Sequence, residues 1–236
     1  MARLLTWNDP GVTSIEVMNA PISVGSGSSV SMSGFDQTFE GVGDTIVMKF
    51  TVTSKRGQAA RRERGTFTGL HGGANALRVG FYDPDRLTFA EAGGTGEFVG
   101  QNWSNSEPWS NGQLWQPSYP RVTVAEAASV DAGVIALADE FWGHSLGLGD
   151  WIGFSPLHFG MYQITEVIED GRYRIWPRLR AAITTDTLCL VDDLVLVMRP
   201  LGRDAITGRR DLAFTEDTSI VLTEIVDPYV REYFLG

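Results

Sequence analysis

The feature that most constrains the fold is a series of short apolar segments separated by glycine turns, which is clearest between residues 149 and 180. Two such segments are joined there by Asp170-Gly171, and an Asp-Gly pair between alternating segments predicts a β-hairpin. The second segment stops at Trp176-Pro177, because proline has no N–H to donate to a sheet ladder. This stretch therefore predicts a β-structured scaffold in which no catalytic group is anchored.

Similar segments recur along the chain. Residues 46–53 alternate apolar and polar side chains with a period of two, which predicts a half-buried strand. Further strands are predicted at residues 14–18, 76–82, 150–154, 159–168, 172–176, 187–191, 194–199 and 218–226. Residues 57–70 favour one short helix, since Gln58–Arg64 has helical propensity. The pattern predicts a mainly β fold: a β-sandwich with one short helix plus a second small β-barrel-like module.

A change in composition divides the chain. Residues 91–119 are rich in Gly, Asn and Ser and poor in aliphatic residues, which is typical of a long loop or insertion. We therefore expect four parts: an N-terminal β-sandwich module at residues 1–90, the loop or insertion at 91–120, a second β module at 121–200, and a C-terminal strand at 201–236 that completes the core.

Charge and cysteine content exclude several classes of function. The formal net charge is −10, which argues against non-specific binding to nucleic acid or to an anionic membrane. No apolar run approaches the roughly 20 residues that span a bilayer, and the N-terminus lacks the apolar core of a secretory signal. The single cysteine, Cys189, lies in an apolar segment and is expected to be a buried, inert thiol of a chain made in a reducing cytoplasm.

Residues capable of catalysis are few and badly spaced. His71, His144 and His158 show no metal-site spacing, so we interpret them as ordinary loop or strand histidines. Adjacent carboxylates occur at Glu169-Asp170 and Asp192-Asp193, but neighbours on a strand point to opposite faces and do not converge as a glycosidase pair does. We therefore expect no enzyme activity, no metal and no cofactor.

Three tryptophans lie in the loop at residues 91–119: Trp103, Trp109 and Trp115. Set among Asn, Ser and Gln, they are candidates for an aromatic platform that stacks on sugar rings. The alternative is that the indoles hold the loop against the sandwich or lie in a subunit contact, where tryptophan is enriched.

A basic cluster stands out in the acidic chain. Between residues 55 and 64 the sequence contains one lysine, four arginines and a single acidic residue, Glu63. Nucleic-acid binding is one interpretation, but no interleaved aromatic residues accompany the cluster. Contact with an acidic neighbouring subunit is favoured, because like-charged copies need a local complementary patch to associate.

Three ordered stretches, which span about half the chain, resemble a known family. They are Ser33-Gly34-Phe35-Asp36-Gln37; Leu70–Val79 with the Tyr-Asp-Pro turn that follows; and a long stretch from Gly149 through Tyr162–Val167 and Trp176–Arg180 to Arg199. Together they are similar to distal tail, or baseplate-hub adaptor, proteins of long-tailed phages and phage-like particles. Two departures are Arg178, where the family has a second proline, and the Gly- and Thr-rich composition of residues 57–69.

The resemblance implies a structural virion protein at the tail tip, made in the host cytoplasm. Such proteins form β-sandwich rings, commonly homohexamers, that join the tail tube protein to the hub or baseplate protein and to tail fibres. DNA would pass through the lumen without specific binding, and no membrane insertion is expected. The contact between subunits is expected near the basic cluster and the segment that follows it, at Arg56, Arg61, Arg62, Arg64, Leu70, Asn75 and Arg78.

Two other classes remain open from the sequence. One is a carbohydrate-binding β-sandwich that recognises a host surface glycan through the tryptophan loop. The other is a glycan or peptidoglycan hydrolase, which would need two carboxylates from separate strands, such as Glu107 with Asp139.

Overall fold

The computed structural model describes most of the two β modules of this chain. The described residues are 3–7, 11–18, 23–24, 39–40, 44–81, 83, 85, 121–138, 146–191, 194–202, 206–207 and 218–227. They contain one α-helix, α1 (Gly57–Gly69), and a turn of 3₁₀ helix at His71–Gly73. The strands are β1 (Leu4–Thr6), β2 (Val12–Val17), β3 (Ser23–Val24), β4 (Phe39–Glu40), β5 (Val47–Val52), β6 (Ala76–Phe81), β7 (Arg121–Glu126), β8 (Val134–Leu137), β9 (Trp151–Ser155), β10 (Tyr162–Glu169), β11 (Arg172–Trp176), β12 (Leu188–Leu190), β13 (Leu194–Pro200), β14 (Ile206–Thr207) and β15 (Thr218–Glu224).

The first module is a seven-stranded sheet built from both ends of the chain. Its strands lie in the order β1-β6-β13-β15-β5-β2, and β14 pairs with β15. The alternation predicted at residues 46–53 is confirmed, because Met48, Phe50 and Val52 of β5 are fully buried while the residues between them are half-buried. These side chains belong to one apolar core with residues of β6, β13 and β15. The mainly β prediction with a sandwich-type module is thereby confirmed.

The second module is a closed six-stranded barrel. Its strands follow the order β10-β11-β8-β7-β12-β9, and β9 closes the ring by pairing with β10. Side chains from all six strands fill the interior, among them Val122, Ile152, Tyr173 and Cys189. The interior is therefore a packed core, as expected for a small barrel.

The predicted hairpin forms the longest pairing of the barrel. β10 and β11 run antiparallel, and Gly171 in the connecting turn has a φ of 76°, a left-handed conformation that glycine adopts without steric cost. β11 ends at Trp176, immediately before Pro177, as the sequence predicted. The peptide bond between these two residues is cis.

One sequence boundary needs correction. The second β module was expected to extend to residue 200, but β13 (Leu194–Pro200) pairs with β6 and β15 in the first sheet. The barrel strands therefore end at Leu190, and the barrel is inserted between β6 and β13 of the sheet. The expected C-terminal strand is present as β15, which lies inside the sheet between β13 and β5.

The two modules share part of their apolar interior. Met161 and Trp176 of the barrel are buried in the same core cluster as β5 and β15, and Trp151 and Leu190 pack against that cluster. Gly153 of β9 lies so close to Leu194 of β13 that an added Cβ would stand 3.2 Å from the leucine Cδ2. The barrel thus packs directly on the sheet.

Several predictions fall outside the described residues. These are the loop at 91–120 with its three tryptophans, His144, the pair Glu107 and Asp139, and Asp192-Asp193. No helix in the described part of the chain is long and apolar enough to cross a membrane.

Candidate subunit-contact site

The helix α1 carries the basic cluster, and its sequence gives it little stability of its own. Arg56 stands at the N-cap, where no side chain caps the helix, and the first turn has no acidic residue to interact favourably with the helix dipole. Gly65 lies in its interior, where glycine costs about 1 kcal/mol relative to alanine. The predicted short helix is confirmed, but packing rather than intrinsic propensity holds it in place.

The packing of α1 comes from its last turns. Phe67 is half-buried and meets Trp7 of the first sheet edge-on, with 5.8 Å between ring centroids. Trp7 in turn contacts Phe50 at the same centroid distance. Gly69 lies against β1, where an added Cβ would stand 3.3 Å from Leu5 Cδ1. One side of α1 is therefore fixed on the sheet, and its other side is free to carry charge.

The basic side chains lie on that free side. Arg56, Arg61, Arg62 and Arg64 are all exposed. Within the described part of the chain, the one acidic residue of the cluster, Glu63, pairs with Lys55 at 2.8 Å, and both side chains are largely shielded from solvent. Glu63 pairs with Lys55, so the exposed side chains of Arg61, Arg62 and Arg64 give α1 a positively charged surface.

A groove of about 530 Å³ runs between α1 and β1. It is lined on one side by Leu5, Thr6 and Trp7, and on the other by helix residues that include Ala59 and Arg62. Leu5 and Thr6 of β1 point to opposite faces of the sheet, so a groove that contacts both of them passes along the edge of β1. Among the described residues, β1 pairs with β6 alone and its other edge has no strand partner.

The remaining predicted contact residues divide into two groups. Leu70 is fully buried in the core of the sheet, and Asn75 is 8% exposed. The Asn75 side chain accepts a hydrogen bond from the Arg3 N–H at 2.9 Å and donates one to the Gly69 carbonyl at 2.6 Å. These two residues therefore hold the end of α1 against β1 within the chain. Arg78 is exposed on β6.

A buried ionic network joins the sheet to the barrel, and no site role was predicted for its members from sequence. Arg180, just after the barrel strand β11, pairs with Glu224 at the end of β15, and their side chains are 4% and 0% exposed. Arg180 Nε donates to Glu224 Oε1 at 2.9 Å, and Nη2 donates to Oε2 at 3.2 Å and to the Asp44 carbonyl. Glu224 Oε2 also accepts the Ile46 N–H at 3.3 Å. We call Arg180, Glu224 and Asp44, with the residues bonded to them, the joint.

Aromatic side chains extend the joint on the barrel side. Trp176 Nε1 donates to Asp44 Oδ2 at 2.7 Å, and the Arg180 N–H donates to the Tyr162 hydroxyl at 2.9 Å. His158 Nε2 lies 3.0 Å from the Ala181 carbonyl, which only accepts, so Nε2 donates there. In the neutral ring, Nδ1 then accepts the Tyr162 O–H at 2.7 Å. The interpretation of His158 as an ordinary structural histidine agrees with these contacts.

Gly160 leaves room for the joint. A Cβ added at this position would stand 3.0 Å from Glu224 Oε1, 3.1 Å from Arg180 Cγ and 3.3 Å from the Tyr162 hydroxyl. The absence of a side chain here therefore allows the ion pair and the tyrosine to approach the same segment of backbone.

Cys189 is fully buried in the barrel, and desolvation raises the pKa of its thiol well above the usual range, as expected for an inert cysteine. No group of three or more potential metal ligands occurs among the residues that the structure describes.

The described residues form a mainly β structure with a sheet module and an inserted barrel, which are joined by a buried ion pair, and they include one exposed basic helix. No protein-family model matches the chain, and no curated protein is found as a relative. The resemblance to distal tail proteins therefore stays a prediction from sequence motifs.

Proposed function

We propose that this chain is a structural subunit of a phage or phage-like tail tip, a distal tail protein that forms a ring between the tail tube and the baseplate hub or fibres. The observation that carries the proposal is the exposed arginine face of α1 in a chain of net charge −10, beside a sheet edge that has no strand partner among the described residues. Copies of so acidic a chain repel one another, so a local basic surface gives them a place to associate.

The buried contact between the two modules also supports the proposal. A ring that transmits load between a tube and a hub needs modules that keep a fixed orientation. The joint links barrel and sheet through buried, charge-assisted hydrogen bonds, and removing one partner of such a pair is costly. The net negative charge of the chain suits a lumen through which DNA passes without binding, because negative charge on the protein repels the DNA phosphates.

Ring closure requires a heterologous contact, in which one patch of a subunit meets a different patch of the next. The arginines of α1 supply one such patch. A six-fold ring of this chain would place the tail tube protein on one side and the hub, baseplate or fibre proteins on the other, in a virion assembled in the host cytoplasm.

The test is the mass of the purified chain by light scattering over a range of concentrations, with negative-stain images of the same samples. We expect closed rings of fixed copy number with a central opening wide enough for duplex DNA.

Charge reversal at Arg61 and Arg62 should leave the far-ultraviolet circular dichroism spectrum unchanged and abolish the rings. Rings that persist in this variant would show that the basic face is not the contact. A stable monomer would instead favour the glycan-binding alternative, for which Trp109→Ala in a glycan-binding screen is the decisive variant.

A further inference from the structure

The tip of the β10–β11 hairpin has the features of a surface that docks onto another molecule. Residues 165–170 are all exposed, and Val167 and Ile168 are apolar side chains that are 44% and 43% exposed. Leu148, 73% exposed, lies on a turn whose Gly149 N–H bonds the carbonyl of Ile164 on β10. Three of the large apolar residues that face solvent therefore lie at this end of the barrel.

The backbone of the same segment has an unpaired edge. β9 and its preceding turn pair with β10 only as far as Ile164, and among the described residues Thr165–Glu169 pairs with β11 alone. The pairing with β11 is irregular between Val167 and Glu169, so the strict alternation of faces is broken at Ile168. Exposed apolar edges of this kind are sites at which another chain adds.

The charge of the tip is opposite to that of α1. Glu166, Glu169 and Asp170 lie on the hairpin with two arginines. Arg174 pairs with Glu166 at 2.6 Å, and Arg172 lies 3.5 Å from Glu169. One carboxylate therefore remains in excess.

We infer that the hairpin tip of one copy of this chain docks into the groove between α1 and β1 of the next copy. The inference rests on the proposed ring and names its two contacting surfaces. Val167 and Ile168 enter the groove beside Leu5 and Trp7, and the excess carboxylate faces the arginines of α1. The free edge of β10 lies along the free edge of β1, so that each supplies hydrogen-bond partners to the other. Tip and groove are different surfaces on different modules, so the contact can repeat head to tail from one copy to the next around a ring.

The test uses two variants with opposite defects. The tip variant is Val167→Asp/Ile168→Asp, which leaves the groove intact. The groove variant is Ala59→Trp/Arg62→Glu, which fills the groove and reverses its charge while the tip stays intact. All four positions are exposed or half exposed, so both variants should keep the wild-type circular dichroism spectrum and melting temperature. The matched control is Val17→Asp/Met18→Asp, which places the same charges on exposed apolar residues. These residues lie at the β2 edge of the sheet, and the groove lies at the opposite edge, beside β1.

We expect the wild type and the control to assemble, and each variant alone to be monomeric by light scattering. A carboxylate forced into an apolar contact should weaken each contact roughly tenfold or more. An equal mixture of the tip and groove variants should form dimers and stop there, because only one intact tip–groove contact is possible per pair. This result distinguishes a heterologous contact from a symmetric one.

Other outcomes overturn the inference in distinguishable ways. If the tip variant assembles like the wild type, or if the mixture gives no dimer, the tip–groove contact is wrong while the ring proposal stands. If the control loses assembly instead, the β2 edge is the contact. If the wild type fails to associate at any concentration, both the contact and the ring proposal fail.

Discussion

Replacing Arg180 by methionine tests whether the joint holds the two modules together. The change keeps a long unbranched side chain but removes the guanidinium and its hydrogen bonds to both oxygens of Glu224 and to the Asp44 carbonyl. Glu224, with a side chain that is 0% exposed, would retain the Ile46 N–H as its donor. Leaving such a carboxylate uncompensated should lower the free energy of unfolding by about 3–5 kcal/mol.

The measurement is urea-induced unfolding followed by circular dichroism and by tryptophan fluorescence. The matched control is Arg174→Met, which breaks an ion pair of 2.6 Å whose side chains are 49% and 54% exposed. Solvent screens that pair, so the expected loss is about 0–1 kcal/mol. The double variant Arg180→Met/Glu224→Leu should recover much of the loss, because it removes the stranded charge as well.

The reasoning would be refuted if Arg180→Met cost no more than Arg174→Met. It would also fail if the double variant were destabilised by the sum of two large single effects, since the penalty would then not come from an unpaired buried charge. Divergence of the two optical probes in Arg180→Met alone would indicate that sheet and barrel unfold separately once the joint is broken.

Three further predictions concern buried residues of the sheet–barrel contact and of the barrel core. Gly160→Ala should lower the free energy of unfolding by about 1–3 kcal/mol in the urea assay, because the added Cβ meets Glu224 and Arg180, and an unchanged midpoint would contradict the close approach. Trp176→Phe removes the indole donor to Asp44 and should cost roughly 1–3 kcal/mol, whereas a neutral result would mean that the hydrogen bond contributes nothing. Cys189 should resist a thiol reagent at pH 8 in the folded protein and react fully in denaturant, because burial raises the pKa of the thiol; rapid labelling of the native chain would contradict its burial.

The elements that could be predicted from the sequence are those with a recognisable pattern over a few consecutive residues. The alternation at residues 46–53 identifies the buried face of β5, because apolar side chains at every second position are typical of a strand with one face in the core. The Asp170-Gly171 turn and the stop at Trp176 locate the hairpin for similar local reasons. β1 and β7 were not predicted, and β1 in particular is only three residues long and has no pattern to recognise.

The joint could not be predicted from short-range patterns, because the residues that form it are far apart in the sequence. Arg180 meets Asp44 across 136 positions and Glu224 across 44. Charged residues are almost never fully buried without a partner, so an arginine within an apolar motif is the one available signal, and it is weakened here because Arg178 stands in the same motif. Arg180 stood in such a motif, after Trp176 and Leu179, but the sequence does not say which carboxylate it meets. The extent of the barrel was misjudged for a related reason, since β13 looks like another barrel strand until its pairing is known.

The joint bears directly on the geometry of the proposed ring. The groove is formed by the sheet module and the hairpin tip by the barrel, so the angle between successive copies depends on how barrel and sheet are held within each copy. A heterologous contact closes into a ring only at particular rotations, and otherwise it propagates as an open filament. A flexible connection would allow many rotations. The buried ion pair between the modules opposes such variation, because separating its partners would strand a buried charge. The joint therefore favours one rotation between successive copies of the proposed ring without touching the neighbouring subunit.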